Sequence, residues 1–510
     1  MAEIMRTATL TPSKTELVQA WIGDQRWYAA KGQQPRLRLL TAWRLDDPEG
    51  EVGIETLVLA DEAGAEPVVY QVPLTYRGEP LGSADHALVG TMEHSALGHR
   101  WVYDAPHDPV YAAQLLELVQ GRVRAQSSKR SDAVEESVVG VPQPSWGSEV
   151  RVRTSRVLSG EQSNTSVILD CDLPDGHHTP LIVKVFRMLS PGDNPDVVLQ
   201  AALVDAGSRR VPAVVGSVTG SWPHPGTEGD HPASGHLAFA QEFLAGVEDA
   251  WRVALRAAEA GTDFVEPARA LGGATAEVHG TLAEVLGTAP TTEEQAALIV
   301  TEMRARFEAA VAEAPELAEV REPVDAVLRA AAEAPWPPLQ RIHGDYHLGQ
   351  VLHSPDRGWV LLDFEGEPLR PLSERSQPDQ WVRDVAGMLR SFDYVGGTLE
   401  QVHGGSARDW VTSAQQAFLD GYAGRAGADP RALGPLLAAF ELDKAMYEVV
   451  YEARNRPGWL AIPLGAVRRL TAHAGQHVPQ DRPEDPLQDR PQGLLQDPLQ
   501  DPTPTQGDPS

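Results

Sequence analysis

The sequence predicts an α+β fold in two or three units, on three observations. Strand-like alternation fills much of the first hundred residues, runs rich in β-branched residues return between 150 and 186, and long Ala- and Leu-rich helical segments take over from about residue 245. A chain of 510 residues also exceeds what one hydrophobic core usually organises.

The elements follow in order. "SKTELVQAWIGDQRWYAAKG" reads as a short amphipathic helix, and "RLRLLTAWRL", "GIETLVLA" and "PVVYQVPLTYR" as strands. Trp21, Trp27 and Tyr28 are expected to be packing anchors, because large aromatics mainly supply buried area. "DPVYAAQLLELVQ" is a second helix, and "SSKRSDAVEESVVGVPQPSWGSE" reads as a linker on its polar, Pro and Gly content, so a boundary falls near 135. In the second unit, 136–244, "VRVRTSRVL", "TSVILDC" and "PLIVKVFRM" predict an antiparallel sheet. A helical lobe, 245–478, holds "DAWRVALRAAEAG", "PARALGGATAEVHGTLAEVLG" and "TTEEQAALIVTEMRARFEAAVAEAPELAEV". Residues 479–510 are rich in Pro, Gln and Asp, repeat "PLQD" at 486 and 498, and are expected to be disordered.

Composition excludes several functions. The formal charge is −29, of which the last 32 residues carry −5, and an acidic body repels a phosphate backbone, so nucleic acid is not the expected partner. No apolar stretch is long enough for a bilayer, so no membrane contact is expected. Cys171 is the single cysteine and the N-terminus lacks the pattern of a secretory signal, which together predict a cytoplasmic location.

The chemistry is concentrated in "HGDYHLGQVL" and the nearby strand "GWVLLDFEGEP", which together form a natural hairpin. An aspartate on a loop (Asp345), an amide five residues later (Gln350) and a carboxylate after a short strand (Asp363) make a phosphoryl-transfer constellation. One group orients a hydroxyl and two offer oxygen to magnesium. A zinc pair of His343 and His347 fits badly, because Gly344 stands where the helical zinc motif needs glutamate; the histidines are expected to brace the loop. A kinase also needs a strand lysine upstream, and Lys184 in "PLIVKVFRML" is suitably placed. Before it, "LSGEQSNTS" offers Ser163, Asn164 and Thr165 as phosphate donors. Gln241 and Glu242, in "HLAFAQEFL" at the end of the β-rich unit, complete the expected nucleotide-binding set.

With Lys184, Asp345, Gln350 and Asp363 in that order, the chain resembles the aminoglycoside-phosphotransferase-like kinases, small-molecule relatives of protein kinases. Within them it is similar to the maltokinases, through "WIGDQRWYAAKG", "LSGEQSNTSVIL", "LLDFEGEPLRPLSERSQPDQWVRDVAGMLRSFDY" and "ELDKAMYEVVYEARNRPGWLAIPL", over about residues 15 to 475. The resemblance implies a bilobal protein-kinase-like fold with an N-terminal cap, a β-rich intermediate subdomain and a helical C-lobe. It also implies ATP-dependent phosphorylation of maltose at its anomeric hydroxyl, giving maltose 1-phosphate for α-glucan synthesis, and family analogy adds a partner enzyme that supplies maltose; a monomer is expected. Asp345 would be the base, Gln350 and Asp363 the Mg2+ ligands, and His343 and Asp384 supports of the catalytic loop. One departure stands out: kinase-like folds usually pair the strand lysine with a helix glutamate, and "NPDVVLQAALVDAG" has none, leaving Asp196 as the partner or the pair absent.

For the sugar, "LDKAMYEVVYEARNRPGW" places Lys444, Tyr447, Glu448, Tyr451 and Asn455 along one helix face, ending where Pro457 and Gly458 stop the helix. The same face would also serve as a surface stripe with Lys444–Glu448 pairing. Two rivals remain. A kinase of another sugar, such as glucosamine, would keep the fold and change the acceptor; a nucleotide-binding scaffold without turnover would have lost the base or a metal ligand, and here none is lost.

Overall fold

The computed structural model describes residues 8–147, 149–158, 163–226, 229–368, 370–404 and 406–472. The tail at 479–510 and residues 159–162 of the Ser/Asn-rich turn lie outside the described residues.

The first unit opens with α1 (Lys14–Ile22), started by a capping box between Ser13 and Glu16 and shorter than the sequence suggests. Five long strands follow: β1 (Leu37–Leu45), β2 (Gly53–Asp61), β3 (Val68–Arg77), β4 (Leu88–His94) and β5 (Gly98–Asp104). With short flanking strands they form an antiparallel sheet in the order Leu10–Thr11, β4, β5, β3, β2, β1, Gln126–Ser127. Strand β2 is central, so both of its faces are buried, and its alternation feeds two cores. Leu57 and Leu59 pack with Val18, Ile22, Trp27 and Tyr28 under α1. Ile54 and Val58 join the core of the second unit instead. Trp27 and Tyr28 are buried, as expected of packing anchors.

Helix α2 (Pro109–Val119) is capped by Asp108 and packs Tyr111, Leu115 and Leu118 into that second core. The supposed linker after it contains a strand, β6 (Val138–Pro142), paired to the strand Val214–His224 at the edge of the second sheet. Its Gly140 lies so close to α2 that a Cβ would fall 1.6 Å from the Leu118 carbonyl oxygen. Turn-forming composition and a tightly packed edge strand look alike in sequence, because the same small residues serve both.

The second sheet is antiparallel and runs β6, β10 (Val214–His224), β11 (His231–Glu242), β9 (His178–Phe186), β8 (Asn164–Asp172) and β7 (Arg151–Val157). Helix α3 (Pro195–Asp205), capped by Asn194, follows β9. The cap and the second sheet are tied together at the end of β9. Arg187, 0% exposed, donates to both carboxylate oxygens of Asp104 (2.6 and 2.8 Å) and to Thr165 Oγ1 (2.8 Å), and stacks over Trp27. The next two residues, Met188–Leu189, pair with β3.

The helical lobe comprises α4 (Ala250–Glu259), α5 (Val265–Leu286), α6 (Glu293–Glu313), α7 (Arg321–Glu333), the hairpin β12 (Val351–Ser354) and β13 (Gly358–Leu361), α8 (Val382–His403), α9 (Arg408–Ala426), α10 (Gly434–Asn455) and α11 (Ala461–Ala472). Helices α5 and α9 cross closely: a Cβ on Gly272 would sit 1.9 Å from the Phe418 carbonyl oxygen. One core runs through the lobe, from Leu271 and Phe392 to Phe418, Phe440 and Met446. No helix among the described residues is long and apolar enough to cross a membrane.

Candidate active site

Strands β12 and β13 pair from Val351↔Leu361 to Ser354↔Gly358, so the loop entering the hairpin (343–350) and the loop leaving it (362–367) emerge side by side. The entering loop is held by its backbone. Asp384 on α8, buried, accepts from His343 N–H (2.8 Å) and Gly344 N–H (2.9 Å), and its Oδ2 is 3.0 Å from His279 Nε2. Burial works to raise the Asp384 pKa, but the hydrogen bond and charge of His279 bring it below the usual carboxylate value. His343 Nε2 contacts the Leu362 carbonyl oxygen at 2.7 Å, which joins the two loops, and His347 Nδ1 accepts from Gly349 N–H at 3.0 Å. Both histidines are therefore engaged as braces.

The leaving loop turns at Asp363, whose φ of 63° is left-handed, a conformation that aspartate adopts more readily than most residues. Its Oδ1 lies 2.8 Å from Lys184 Nζ, and its Oδ2 accepts from Gln350 Nε2 at 3.0 Å. Lys184, 8% exposed on β9, also donates to Asp196 Oδ2 at 2.7 Å and lies 4.0 Å from Glu365. Burial opposes the lysine's charge, but Asp196, Asp363 and Glu365 outweigh it and hold the pKa well above the ordinary value. The missing helix glutamate is thus replaced by Asp196, at the second position of α3. Its other oxygen accepts from Phe364 N–H (2.8 Å) and Gln200 Nε2 (2.6 Å), so a single carboxylate fixes the lysine and the leaving loop together.

Asp196, Asp363 and Glu365 can bring ligand oxygens within 4.8 Å of one another. This all-oxygen set suits a hard divalent cation. Gln350 presents its amide nitrogen to Asp363, and a half-turn of that amide would present its oxygen to an ion held there.

The turn before Lys184 divides its roles by strand parity. Asn164 donates to Glu365 Oε1 at 2.9 Å and Ser163 is exposed. Thr165 does not face the cleft: it pairs with Val185 rather than Lys184, so it lies on the opposite face of the sheet, buried against Arg187. Of the two residues placed with the nucleotide at the end of β11, Gln241 is buried with an unpartnered carbonyl oxygen. The Glu242 carboxylate is instead taken up by Arg357 and the Ala213 N–H.

On the other side of Asp345, Lys444 of α10 reaches Asp345 Oδ1 at 3.1 Å and Glu367 Oε1 at 2.9 Å. Burial pushes the Glu367 pKa up, yet Lys444, Arg383 and Arg306 bring it down to about 2. Arg306 and Arg383 also face Asp443, at 3.2 and 3.4 Å, which extends the charge network that starts at Asp345, Lys444 and Glu367. Sequence reasoning missed Glu367, Arg306, Arg383 and Asp443, although Glu367 lies only four residues past Asp363. Tyr447 stacks under the Lys444 ammonium at 4.8 Å, and Tyr451, 42% exposed, comes one further turn along. Glu448 departs from the predicted face. It is 9% exposed and binds the fully buried Arg390 through two bonds of 3.0 and 2.6 Å. A helix residue next to a polar stripe is drawn inward here by a buried cation. Glu448→Ala is expected to lower unfolding free energy by about 3 kcal/mol in denaturant titrations, since it removes one of the two carboxylates that hold the buried Arg390 and leaves only Asp393. Tyr451→Ala is expected to stay within about 0.5 kcal/mol of the parent.

Residues 159–436 match the phosphotransferase enzyme family, and residues 21–108 match the maltokinase N-terminal cap domain. The glucosamine kinase of Streptacidiphilus jiangxiensis is 30% identical over 342 residues, covering 61% of this chain and 72% of that protein. That of Mycolicibacterium smegmatis is 28% identical over 347 residues, covering 64% and 82%. A solved glucosamine kinase in complex with glucosamine, ADP and inorganic phosphate shares the fold, with a TM-score of 0.61 and 24% identity over 90% of this chain and 99% of that one.

Proposed function

We propose that this chain, which belongs to the phosphotransferase enzyme family, moves the γ-phosphoryl group of ATP to the anomeric hydroxyl of maltose. Asp345 accepts the proton of the attacking hydroxyl, and its place on a backbone-anchored loop keeps that oxygen in line with the phosphoryl group. Lys184, charged and held by two carboxylates, is the group for the α and β phosphates. Asp363, Gln350 and Glu365 are the residues that would hold magnesium, which offsets the charge that develops on the phosphates. Asp384 and His343 position the loop without touching substrate.

The observation that carries the acceptor assignment is the placement of Lys444. Its ammonium sits against the proposed base, with Tyr447 beneath it and Tyr451 farther along α10. From Lys444 to Tyr451 the helix rises roughly 10 Å, enough for two linked sugar rings to lie along it. Lys444 donates to ring hydroxyls and the tyrosine faces cover C–H surface. The match of residues 21–108 to the maltokinase cap supports the same choice. A fixed cation beside the base also disfavours an acceptor with its own ammonium group.

The names of the two bacterial relatives favour a second reading, a glucosamine kinase, in which Asp345 and Glu367 would face the amine. ATP consumption against maltose, glucose, glucosamine, trehalose and an aminoglycoside separates the two. Maltose is expected to give the highest kcat/KM, and Tyr447→Ala and Tyr451→Ala are expected to raise its KM without changing the KM for ATP. Turnover of glucosamine without turnover of maltose would reverse the assignment.

A further inference from the structure

The cap contains a cavity of about 550 Å³ that shares no lining residue with the site around Asp345. This lies within the roughly 300–1,000 Å³ typical of small-molecule sites. It lies beside the N-terminal end of α1, whose first residue, Lys14, is part of its lining. Lys14, Arg44, Glu55, Tyr76, His94 and Arg100 supply its polar lining, with Leu10, Met92 and Leu97 as apolar wall.

The cavity is lined by three cations, Lys14, Arg44 and Arg100, and three carboxylates, Asp47, Glu51 and Glu55, but their pairing is uneven. The Glu55 carboxylate, buried at the floor, is taken by Lys14 (2.5 Å) and by the Tyr76 hydroxyl (3.1 Å). Asp47 is also spoken for, since its two oxygens accept from the Glu49, Glu51 and Val52 N–H groups. Glu51 stands at the exposed rim. Arg44, half-buried, forms no hydrogen bond or ion pair among the described residues. Arg100 donates only to the Leu97 carbonyl oxygen, and its Nε is buried without a partner. Two guanidinium groups without carboxylate partners line one concave site in a chain whose net charge is −29. In an open cavity water meets such guanidinium donors, and a bound anion would replace that water with charge-assisted acceptors.

We propose that this cavity is a second ligand site, for a small metabolite carrying a phosphate or carboxylate group. Arg44 and Arg100 bind the anionic group, and Tyr76 and Met92 cover the body of the molecule. The site is independent of the acceptor assignment made above, because none of its residues takes part in that chemistry.

The test is calorimetric titration of the full-length chain, with saturating ADP and Mg2+ occupying the nucleotide site, using inorganic phosphate, glucose 1-phosphate and citrate in turn. Saturable binding of at least one anion is expected. Arg44→Gln and Arg100→Gln should each weaken it by about tenfold or more, as loss of a charge-assisted contact does, with kinase turnover in the absence of the anion unchanged. Preference for the phosphorylated probes over citrate identifies a phosphate site, and the reverse a carboxylate site; either supports the proposal. Failure of all three anions to saturate up to about 10 mM, or equal binding by both arginine variants and the parent, overturns it. Leu97→Trp, at an exposed position on the cavity wall, gives a second measurement: it should block binding while leaving the thermal midpoint within a few degrees of the parent.

Discussion

Asp345→Asn is expected to lower kcat by about 10²- to 10⁴-fold while leaving the KM for ATP near its original value. The substitution keeps the shape of the side chain and its contact distance to Lys444, and removes the one thing an acceptor hydroxyl needs, an oxygen basic enough to take its proton. Folding should be little affected, because Lys444 retains Glu367 at 2.9 Å and the loop's backbone remains anchored on Asp384. A loss confined to kcat marks an interaction made in the transition state. Steady-state ATP consumption at saturating acceptor measures it, and a kcat within a few-fold of the parent would remove Asp345 from the chemistry.

Asp196→Ala is expected to damage both stability and activity, because three donors converge on this carboxylate. Lys184 would remain buried with Asp363 as its nearest carboxylate, and the Phe364 N–H would lose its acceptor. Removing one member of a buried ion pair costs about 3–5 kcal/mol, to be read from equilibrium denaturant unfolding. The lysine and the Asp363 loop would also lose their common reference point. A displacement of an ångström at a reacting centre costs about 10²-fold, so kcat/KM for ATP should fall by at least that much. Asp196→Glu restores the charge with a longer arm and should recover part of the stability. If Asp196→Ala kept the parent kcat/KM for ATP, its oxygen would not be what positions Lys184.

The sequence revealed the parts that rest on periodicity and on local spacing. Strands β8 and β9, the hairpin of β12 and β13, and helix α10 with its stop at Pro457 follow from alternation, turn residues and helical spacing, and all are present. The loop motifs were legible because Asp345, Gln350 and Asp363 are close in sequence. Contacts between distant segments were not. Nothing local distinguishes Thr165 from Asn164, and only the pairing of β8 with β9 turns one toward Arg187 and the other toward Glu365. Glu448 was misplaced for a similar reason: its fate depends on Arg390, 58 residues away. The strand at Val138–Pro142 read as a linker because Gly140 serves close packing under Leu118 rather than a turn.

The junction formed by Asp104, Arg187 and the pairing of Met188–Leu189 with β3 also bears on how such a protein can be recombined. A breakpoint near residue 135, where the chain passes from one sheet to the other, appears from connectivity to separate two exchangeable modules. It would instead cut a strand pairing from its partner and orphan a guanidinium that has no route to water. The catalytic part therefore cannot be grafted onto a different cap without also exchanging residues 187–189 and the aspartate they answer to. The two must be inherited, or engineered, as a matched set.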